Sequence, residues 1–233
     1  MLLRYIWSLL FLATIQRVYQ RRAYPIASIV LFIVRRRSHT DHSVCRLFSQ
    51  EFLILTILKR PVLLQQLPVD LAEHAALQEL LAGEALPEFM ANATQLLLIN
   101  NAGLVSPIGP LSVQPASDIS RSMQLNVTTP LVLSAHITQL LKVDQQLRVL
   151  HVSSGAGRSA YPGWSVYCAT KAALDMHAQA VQQDQLPNIR ICSLAPGVID
   201  TGMQAEIRET DESLFPNKKR FMELHDQGLL SNA

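Results

Sequence analysis

The first 82 residues of this 233-residue chain contain no glycine, although nine glycines follow them. A loop that wraps closely around phosphate groups needs glycine, because other side chains would fill the space where the backbone approaches the phosphates. The first third of the chain therefore contains no recognisable glycine-rich phosphate loop.

Cysteine is also scarce. The three cysteines (Cys45, Cys168 and Cys192) lack paired spacing. This usage excludes a disulfide framework and is typical of reduced thiols in a cytoplasmic protein. We expect no metal site.

Long hydrophobic runs are missing. Leu2–Ile15 is interrupted by Arg4, and Tyr24–Val34 is followed by three arginines. Both stretches are shorter than the roughly 18–20 residues that span a bilayer. We do not expect membrane attachment, and a peripheral basic anchor is the alternative.

The two parts of the chain differ in charge. Residues 1–65 contain ten Lys and Arg against two acids, whereas residues 66–233 contain ten against sixteen. Such parts do not look like one evolved surface. Because the second part is acidic and the first shows no recognisable motif for reading nucleic-acid bases, we expect no nucleic-acid binding.

Short apolar runs alternate with helical patterns from about residue 62 onward. The predicted strands are Val62–Val69, Gln95–Ile99, Leu147–Val152 and Ile189–Leu194, and the predicted helices are Ala72–Leu81, Ser117–Leu141 and Trp164–Gln183. We expect Pro130 to bend the second helix. This rhythm predicts an α/β protein, a single domain with a Rossmann-like, doubly wound parallel sheet covered on both faces.

Polar motifs follow the predicted strands, at the sheet edge where ligands bind. These motifs are Asp70, Asn100–Gly103, Ser153-Ser154 and Pro196-Gly197. We therefore expect the functional site at that edge.

Tyr167 and Lys171 stand four residues apart and share a helix face, and Ser154 lies thirteen residues before the tyrosine. A free phenol has a pKa of about 10, and lowering it by about three units requires about 4 kcal/mol. A cation about 4 Å away, at an effective dielectric near 20, supplies about that much. We therefore expect Lys171 to lower the pKa of Tyr167, so that the phenol exchanges protons with a carbonyl oxygen held by Ser154.

Each element of this group is common by itself. Tyr-x-x-x-Lys is often a solvated pair, and a serine after a strand is often a cap. Their combination points to redox chemistry on a ketone or alcohol. We further expect Asn126, on the long helix, to fix a water that relays protons to Lys171.

Here the residues match a known family. From about residue 62 to residue 230 the chain resembles the short-chain dehydrogenases/reductases, within them the sepiapterin reductase and benzil reductase branch. The resemblance rests on Asp70, Asn100-Asn101-Ala102-Gly103, Asn126, Ser154, Tyr167-x-x-x-Lys171 and Pro196-Gly197-Val198-Ile199-Asp200-Thr201.

The resemblance implies a role for each matched residue. Tyr167 would be the general acid in reduction, Lys171 would also hold the nicotinamide ribose, and Ser154 would orient the carbonyl. Asn126 would complete the proton relay. The remaining matches would bind the cofactor: Asp70 the adenine, Asn100, Ala102 and Gly103 the adenosine side, and Pro196, Gly197 and Thr201 the nicotinamide.

The resemblance also implies a mobile lid, Ile199 to Phe215, over the substrate. Tyr161, Trp164 and Met203 would line an apolar pocket that suits an aromatic or bulky diketone. Ordinary core packing is the alternative for Trp164.

The start of the chain departs from the family. There a first strand is followed by Thr-Gly-x-x-x-Gly-x-Gly, whose amides hold the pyrophosphate. Counting back from Asp70 places this loop near residues 15–30, which contain no glycine. We divide the chain into an atypical basic and apolar segment, residues 1–61, and a catalytic region, residues 62–233, that ends before the family's usual last helix and strand.

Two interpretations explain residues 1–61. In the first, these residues are translated out of frame relative to an ancestral coding sequence, or are otherwise unrelated to it. Alternatively, they form a divergent first part that still folds as strand, helix and strand, with Tyr24–Val34 as a buried strand.

The resemblance implies an NAD(P)-dependent oxidoreductase that reduces a ketone or diketone to an alcohol, with NADP slightly favoured over NAD. Its partners would be a small carbonyl or alcohol substrate and further copies of itself, in a homodimer or homotetramer. The alternative is a catalytically impaired or inactive relative that acts as a binding or dimerisation module, because the phosphate loop is missing.

Overall fold

A computed structural model describes residues 28–34, 52–58, 63–91 and 93–230 of the chain. The apolar stretch Leu2–Ile15 and Cys45 lie outside the described residues. The loop expected near residues 15–30 also lies outside them, apart from the last three positions, which begin a strand. The predictions for these parts are not tested.

Six strands form one open sheet in the order β3-β2-β1-β4-β5-β6. The strands are β1 (Ser28–Val34), β2 (Phe52–Leu58), β3 (Leu63–Pro68), β4 (Gln95–Asn100), β5 (Gln146–Val152) and β6 (Ile189–Leu194). The four strands predicted from the sequence correspond to β3, β4, β5 and β6.

Strand direction places the motifs at one edge. β1, β4, β5 and β6 run parallel, whereas β2 is antiparallel to both β1 and β3. Because β3 is reversed twice, it points the same way as β1, and β2 alone among the six runs backwards. The predicted Rossmann-like sheet is confirmed, with β2 as its one reversed strand.

The register of the last three strands aligns their ends. Asn100 at the end of β4 lies opposite His151, and Val152 at the end of β5 lies opposite Leu194. The residues that follow β4, β5 and β6 therefore emerge next to one another. β4 is an apolar run buried at most positions, which fits a strand covered on both faces.

Seven α-helices lie within the described residues. They are α1 (His74–Ala82), α2 (Ala85–Met90), α3 (Ala116–Met123), α4 (Thr129–Gln139), α5 (Ser165–Gln183), α6 (Gly202–Glu209) and α7 (Lys218–Asp226). Short 3₁₀ turns occupy Leu111–Val113 and Gly155–Gly157. The short helix α2 was not predicted from the sequence.

The helix predicted over Ser117–Leu141 is not continuous. A π-helical segment, Gln124–Thr128, separates α3 from α4, and Thr129 N–H donates to the carbonyl of Gln124, five residues earlier. Pro130 has no N–H to donate back to the carbonyl of Asn126, so a regular α-helical ladder cannot pass this point. The predicted bend is a widened turn that precedes the proline.

Two apolar clusters support the sheet and the site. The larger includes Leu77 of α1, Leu98 of β4, Leu133 of α4 and Val149 of β5, all almost fully buried. The smaller includes Trp164, Ile207, Phe215 and Phe221 and surrounds Tyr167. The second cluster therefore attaches α6 and α7 to the start of α5.

No helix within the described part of the chain is both long and apolar enough to cross a membrane.

Candidate active site

Ser154 lies just beyond the end of β5, where the chain turns sharply. It caps the 3₁₀ turn Gly155–Gly157, and its Oγ accepts a hydrogen bond from Ala156 N–H at 3.2 Å. Its own hydroxyl proton is therefore free to point toward a neighbour. That neighbour is Tyr167, whose pKa the nearby Ser154 side chain lowers.

Tyr167 and Lys171 lie one helical turn apart on the buried face of α5. Their exposed fractions are 7% and 3%. The Lys171 ammonium donates to the carbonyl of Val152 at 2.8 Å and lies 5.6 Å from the centre of the tyrosine ring. Since Val152 ends β5 and Ser154 follows it, strand and helix bring the three predicted residues together.

Burial controls the protonation of this group. Burial raises the pKa of Tyr167 above its usual value, and the neighbouring Ser154 side chain only partly opposes that rise. Burial also lowers the pKa of Lys171 to about 8, against the opposing charge of Asp175. The expected lowering of the tyrosine pKa is not seen here, because burial, which disfavours the phenolate, is the largest effect.

Asn126 lies in the π-helical segment and is fully buried. Its amide accepts from Leu104 N–H at 2.7 Å and donates to the Leu104 carbonyl at 2.8 Å and to Thr170 Oγ1 at 3.1 Å. It thus joins the strand β4 exit to the helix that carries Lys171. Its proton-relay role is not tested by these contacts and stays a prediction.

Gly103 lies between Asn126 and Lys171. A Cβ atom at this position would be 3.4 Å from both Asn126 Oδ1 and Lys171 Nζ. The absence of a side chain keeps the space beside the ammonium open. Ala102, before it, is buried in the core.

Asn100 begins a chain of polar contacts that was not predicted from the sequence. Ser134 donates its own proton to the Pro130 carbonyl at 2.6 Å, so it accepts from Asn100 Nδ2 at 3.4 Å. The same amide nitrogen lies 3.0 Å from His151 Nδ1, which must accept. His151 Nε2 then donates to His177 Nδ1 at 3.0 Å, so both rings are neutral.

No local pattern indicates this chain of contacts, because its members lie on β4, α4, β5 and α5. His151 occupies an inward position of β5, and that alternation is the one available signal. The predicted contact of Asn100 with a cofactor stays a prediction.

Asp70 follows β3 at the same sheet edge. Its Oδ1 accepts from Ala72 N–H at 2.9 Å, and its Oδ2 pairs with Arg121 of α3 at 3.1 Å. Both oxygens therefore take part in the fold. The predicted contact with an adenine is not tested.

The turn after β6 leaves empty space next to its backbone at Gly197. Gly197 has a φ of +87°, which favours glycine, and no atom lies within 4 Å of where its Cβ would be. Pro196 precedes it, and Thr201 stands at the start of α6 without a side-chain cap. The conformation, and not packing, requires the glycine.

The predicted pocket residues lie on both sides of Tyr167. Met203 Sδ is 3.9 Å from the tyrosine hydroxyl, and the ring centre of Trp164 is 5.4 Å from that of Tyr167. Trp164 is 4% exposed and stacks on Phe215 at 4.4 Å. Tyr161 packs against the other side of Trp164, at 5.2 Å. Core packing thus accounts for Trp164, and its contact with a substrate stays a prediction.

The described residues fit one half of a nicotinamide dinucleotide better than the other. Lys171 offers N–H donors beyond its bond to Val152, next to the open space at Gly103, and the Gly197 turn leaves its surroundings clear. For the pyrophosphate half, the described residues before Gly83 contain no glycine. The fit is therefore to the nicotinamide and its ribose.

Within the residues that the structure describes, no group of three His, Cys, Asp or Glu side chains could hold a metal ion.

Comparisons with known proteins agree with this geometry. A family model described as short chain dehydrogenase matches residues 63–212. A benzil reductase ((S)-benzoin forming) from Bacillus cereus is 39% identical over 145 residues, which are 60% of this chain and 57% of that protein. A sepiapterin reductase from Rattus norvegicus is 32% identical over 166 residues, 69% of this chain and 62% of that protein.

A solved structure is similar as well. A short-chain dehydrogenase/reductase from Burkholderia vietnamiensis superposes with a TM-score of 0.56 at 49% identity, over 63% of this chain and 70% of that one. The chain spans less than two thirds of the length of the two reductases above. The predicted resemblance to the benzil and sepiapterin reductases is confirmed.

Proposed function

This chain belongs to the short-chain dehydrogenase family, and from that premise we propose that it is an NAD(P)-dependent reductase. The substrate is a ketone or diketone, the product is an alcohol, and Tyr167 is the general acid. The two reductases described above, which act on benzil and sepiapterin by their names, support a carbonyl substrate.

One observation carries the proposal. The Ser154 side chain lies close enough to the Tyr167 phenol to lower its pKa, and the Lys171 ammonium lies 5.6 Å from the centre of the tyrosine ring. A carbonyl oxygen placed between the two hydroxyls would accept a hydrogen bond from each. The negative charge that develops on this oxygen during reduction is then stabilised by both donors.

The raised pKa of Tyr167 suits the direction of reduction. At neutral pH the phenol keeps its proton and can transfer it to the developing alkoxide, which is the stronger base. The Lys171 ammonium then stabilises the phenolate that remains. Asn126 holds Leu104 and Thr170 in place around this lysine, and a water beside Gly103 would link the lysine to solvent.

Lys171 and the turn at Pro196, Gly197 and Thr201 would hold the ribose and nicotinamide of the cofactor, and Asp70, Asn100, Ala102 and Gly103 would lie on its adenosine side. When bound, the dinucleotide supplies the hydride for the carbonyl carbon. We favour NADP over NAD from the family resemblance. Access to the site requires movement of Met203, which lies against the catalytic hydroxyl.

The environment of Tyr167 supports an apolar substrate. Met203 lies at the hydroxyl, Trp164 packs against the tyrosine ring, and Tyr161 packs against Trp164, so the nearby surface is aromatic and thioether. A bulky or aromatic diketone would bury its rings against these side chains and leave its oxygen to Ser154 and Tyr167.

We also propose that the protein is cytoplasmic and forms a homodimer or homotetramer. The outer face of α5 supports self-association, because Ala169, Ala172 and Ala180 are small and exposed and Met176 is 63% exposed beside them. Light scattering after size-exclusion chromatography would test this, and a monomer at micromolar concentration would contradict it.

The second candidate is an inactive relative that acts as a binding or dimerisation module. The absence of glycine from the described residues before Gly83 favours it, since nothing there resembles a phosphate loop. This candidate predicts a folded protein that binds neither NADPH nor NADH.

Calorimetric titration with NADPH and NADH, followed by a benzil reduction assay, separates the two candidates. The reductase should bind a dinucleotide saturably and oxidise NADPH when benzil is added. Tyr167→Phe should lower kcat at least a hundredfold and leave dinucleotide binding in place. Val143→Ala, at a residue that is 95% exposed and outside the site, is the control and should keep the activity. A folded chain without dinucleotide binding would overturn the proposal.

A further inference from the structure

Asp175 continues the line of polar side chains on the buried face of α5. It follows Lys171 by four residues and Tyr167 by eight, so the three share one helix face. Asp175 is only 6% exposed. A buried carboxylate is costly without partners, so its neighbours indicate why it is there.

The first partner is Arg158. Its Nε donates to Asp175 Oδ2 at 2.9 Å, although the arginine side chain is 57% exposed. Arg158 is the residue directly after the turn Gly155–Gly157, which Ser154 caps. The ion pair therefore connects the serine-bearing turn to α5.

The turn and the helix are in close contact at Lys171. Ser153 Oγ donates to the Lys171 carbonyl at 3.4 Å. A Cβ atom on Gly157 would be 2.9 Å from the Lys171 carbonyl carbon, closer than such atoms approach in proteins. The position of Ser154 relative to Tyr167 and Lys171 thus depends on this contact. The Arg158–Asp175 ion pair helps to keep the turn against the helix.

The second partner is the charge of Lys171. Burial lowers the pKa of this ammonium to about 8, and Asp175 is the group that opposes the shift. Burial alone would raise the pKa of Asp175, but the neighbouring Ser153 and Ser193 side chains and the hydrogen bond from Arg158 hold it below its usual value. The carboxylate is therefore charged wherever the lysine must be charged.

We propose that Asp175 is a positioning residue for the reaction proposed above. Through Arg158 it holds the Ser154 turn against α5, and through its own charge it keeps Lys171 protonated. This inference rests on the proposed function only in that the reaction uses Ser154, Tyr167 and Lys171.

Other titratable groups near the pair come from several elements. Tyr167 and His177 lie on α5, His151 lies on β5, and Arg158 lies on the turn. Both histidines have lowered pKa values, chiefly because they are buried, so they stay neutral above pH 7. Asp175 is thus the group whose removal changes the charge balance at Lys171.

The first experiment needs no cofactor. The chain has five lysines, so ¹³Cε-lysine NMR resolves them, and Lys171→Arg assigns the signal of interest. Lys171 should titrate near pH 8 in the wild type. Asp175→Asn should lower that midpoint by about one unit, since it removes the neighbouring charge, and Asp175→Glu should restore it. Asp184→Asn, an exposed change at the end of the same helix, is the control and should have no effect.

The second experiment tests the turn. Amide exchange at Gly157 and Arg158 should be at least tenfold faster in Arg158→Ala and Asp175→Asn than in the wild type. Arg190→Ala, an exposed arginine on β6, is the matched control. Unchanged exchange at the turn, or an unchanged midpoint for Lys171, would overturn the corresponding half of the inference.

The third readout is the pH profile of benzil reduction. The alkaline loss of activity should move to lower pH in Asp175→Asn by the same amount as the Lys171 midpoint, and Asp175→Glu should resemble the wild type. A profile that does not move would contradict the role in the reaction. If the wild type does not turn over, the proposed function fails, while the two NMR experiments still decide the role of Asp175.

Discussion

At the scale of single residues, small side chains set the distances in the candidate site. Gly103 keeps open the space beside Lys171, and Gly157 lets the Ser154 turn touch α5. These two glycines have different consequences, because the first borders on flexible polar atoms and the second on backbone. A substitution at Gly157 has no flexible neighbour that could move away.

The Gly157→Ala variant should therefore lose both stability and activity. The new methyl group would overlap the Lys171 carbonyl, and overpacking of this kind costs about 1–3 kcal/mol. We expect a lower midpoint in urea unfolding and a lower kcat, because Ser154 is displaced from Tyr167. Gly155→Ala is the matched control, since nothing lies within 4 Å of its Cβ position. Equal losses in the two variants would contradict this explanation.

The neutral pair His151 and His177 makes a second residue-scale prediction. Burial lowers the pKa of His151 to about 3, and it lowers that of His177 as well. The unfolded chain takes up these protons below about pH 6.5, whereas the folded chain does not. The free energy of unfolding should therefore fall as the pH decreases below about 6.5, by up to about 1.4 kcal/mol per pH unit from His151, and His177 acts in the same direction.

Urea unfolding between pH 8 and pH 5 would measure this slope. His151→Asn, which cannot titrate, should flatten it, and His225→Asn, an exposed change on α7, should leave it unchanged. Identical slopes in all three proteins would show that the buried pair does not cause the acid sensitivity.

At the scale of elements, helices α6 and α7 are attached to the site by aromatic packing. Phe215 is fully buried and stacks on Trp164 at 4.4 Å, and Phe221 of α7 packs against both rings. Ser106, after β4, also donates a hydrogen bond to Glu206 of α6. Helices α6 and α7 are thus attached to the site by the aromatic packing and by the Ser106–Glu206 hydrogen bond.

The Phe215→Ala variant should lose about 3–5 kcal/mol of stability, the usual cost of removing a buried aromatic ring. Met203 would also be held less firmly against Tyr167, so the phenol would become more exposed and its pKa should fall toward the usual value. Chemical denaturation and tyrosine absorbance titration would measure the two effects. Met222→Ala, at a residue that is 42% exposed, should change neither. A loss below 1 kcal/mol in Phe215→Ala would argue against the attachment.

At the scale of the whole molecule, we expect β4 and β5 to be the most protected of the described elements. Leu96, Leu98 and Ile99 of β4 and Leu147 and Val149 of β5 are almost fully buried. By contrast, α7 buries mainly Phe221. Amides in β4 and β5 should exchange with solvent only through global unfolding, while those in α7 should exchange faster through local opening. Hydrogen exchange followed by mass spectrometry would show this, and equal protection of α7 and β5 would contradict it.

Much of this architecture was predictable, because short apolar runs and turn residues are local signals. The bounds of β6 were predicted residue for residue, and those of β4, β5 and α5 to within one residue. The order of motifs along one sheet edge followed from the parallel sheet. Ser154, Tyr167 and Lys171 could be recognised as a group because their spacing is fixed by one strand, one turn and one helix.

Other features depend on contacts between distant parts and could not be predicted. The reversal of β2 is set by its pairing with β1 and β3, for which the sequence shows no period. The pKa of Tyr167 depends on how deeply the phenol is buried, and that burial comes from packing with Met203, Phe215 and other residues distant in the sequence. The Asn100–His151–His177 contacts require the sheet register that brings β4, β5 and α5 together.

The π-helical segment Gln124–Thr128 determines which side chains of α3 and α4 face the core together. Its hydrogen-bonded loop contains one residue more than an α-helical turn, so one residue is accommodated there without lengthening the regular helix. Deleting one residue would remove this wide turn, so Asn126, which lies within it, would change its angular position around the helix axis relative to α4. Asn126 and the buried face of α4 could then no longer point inward together. A one-residue deletion here should consequently do more harm than in an exposed loop, and tolerated length changes should fall outside this turn.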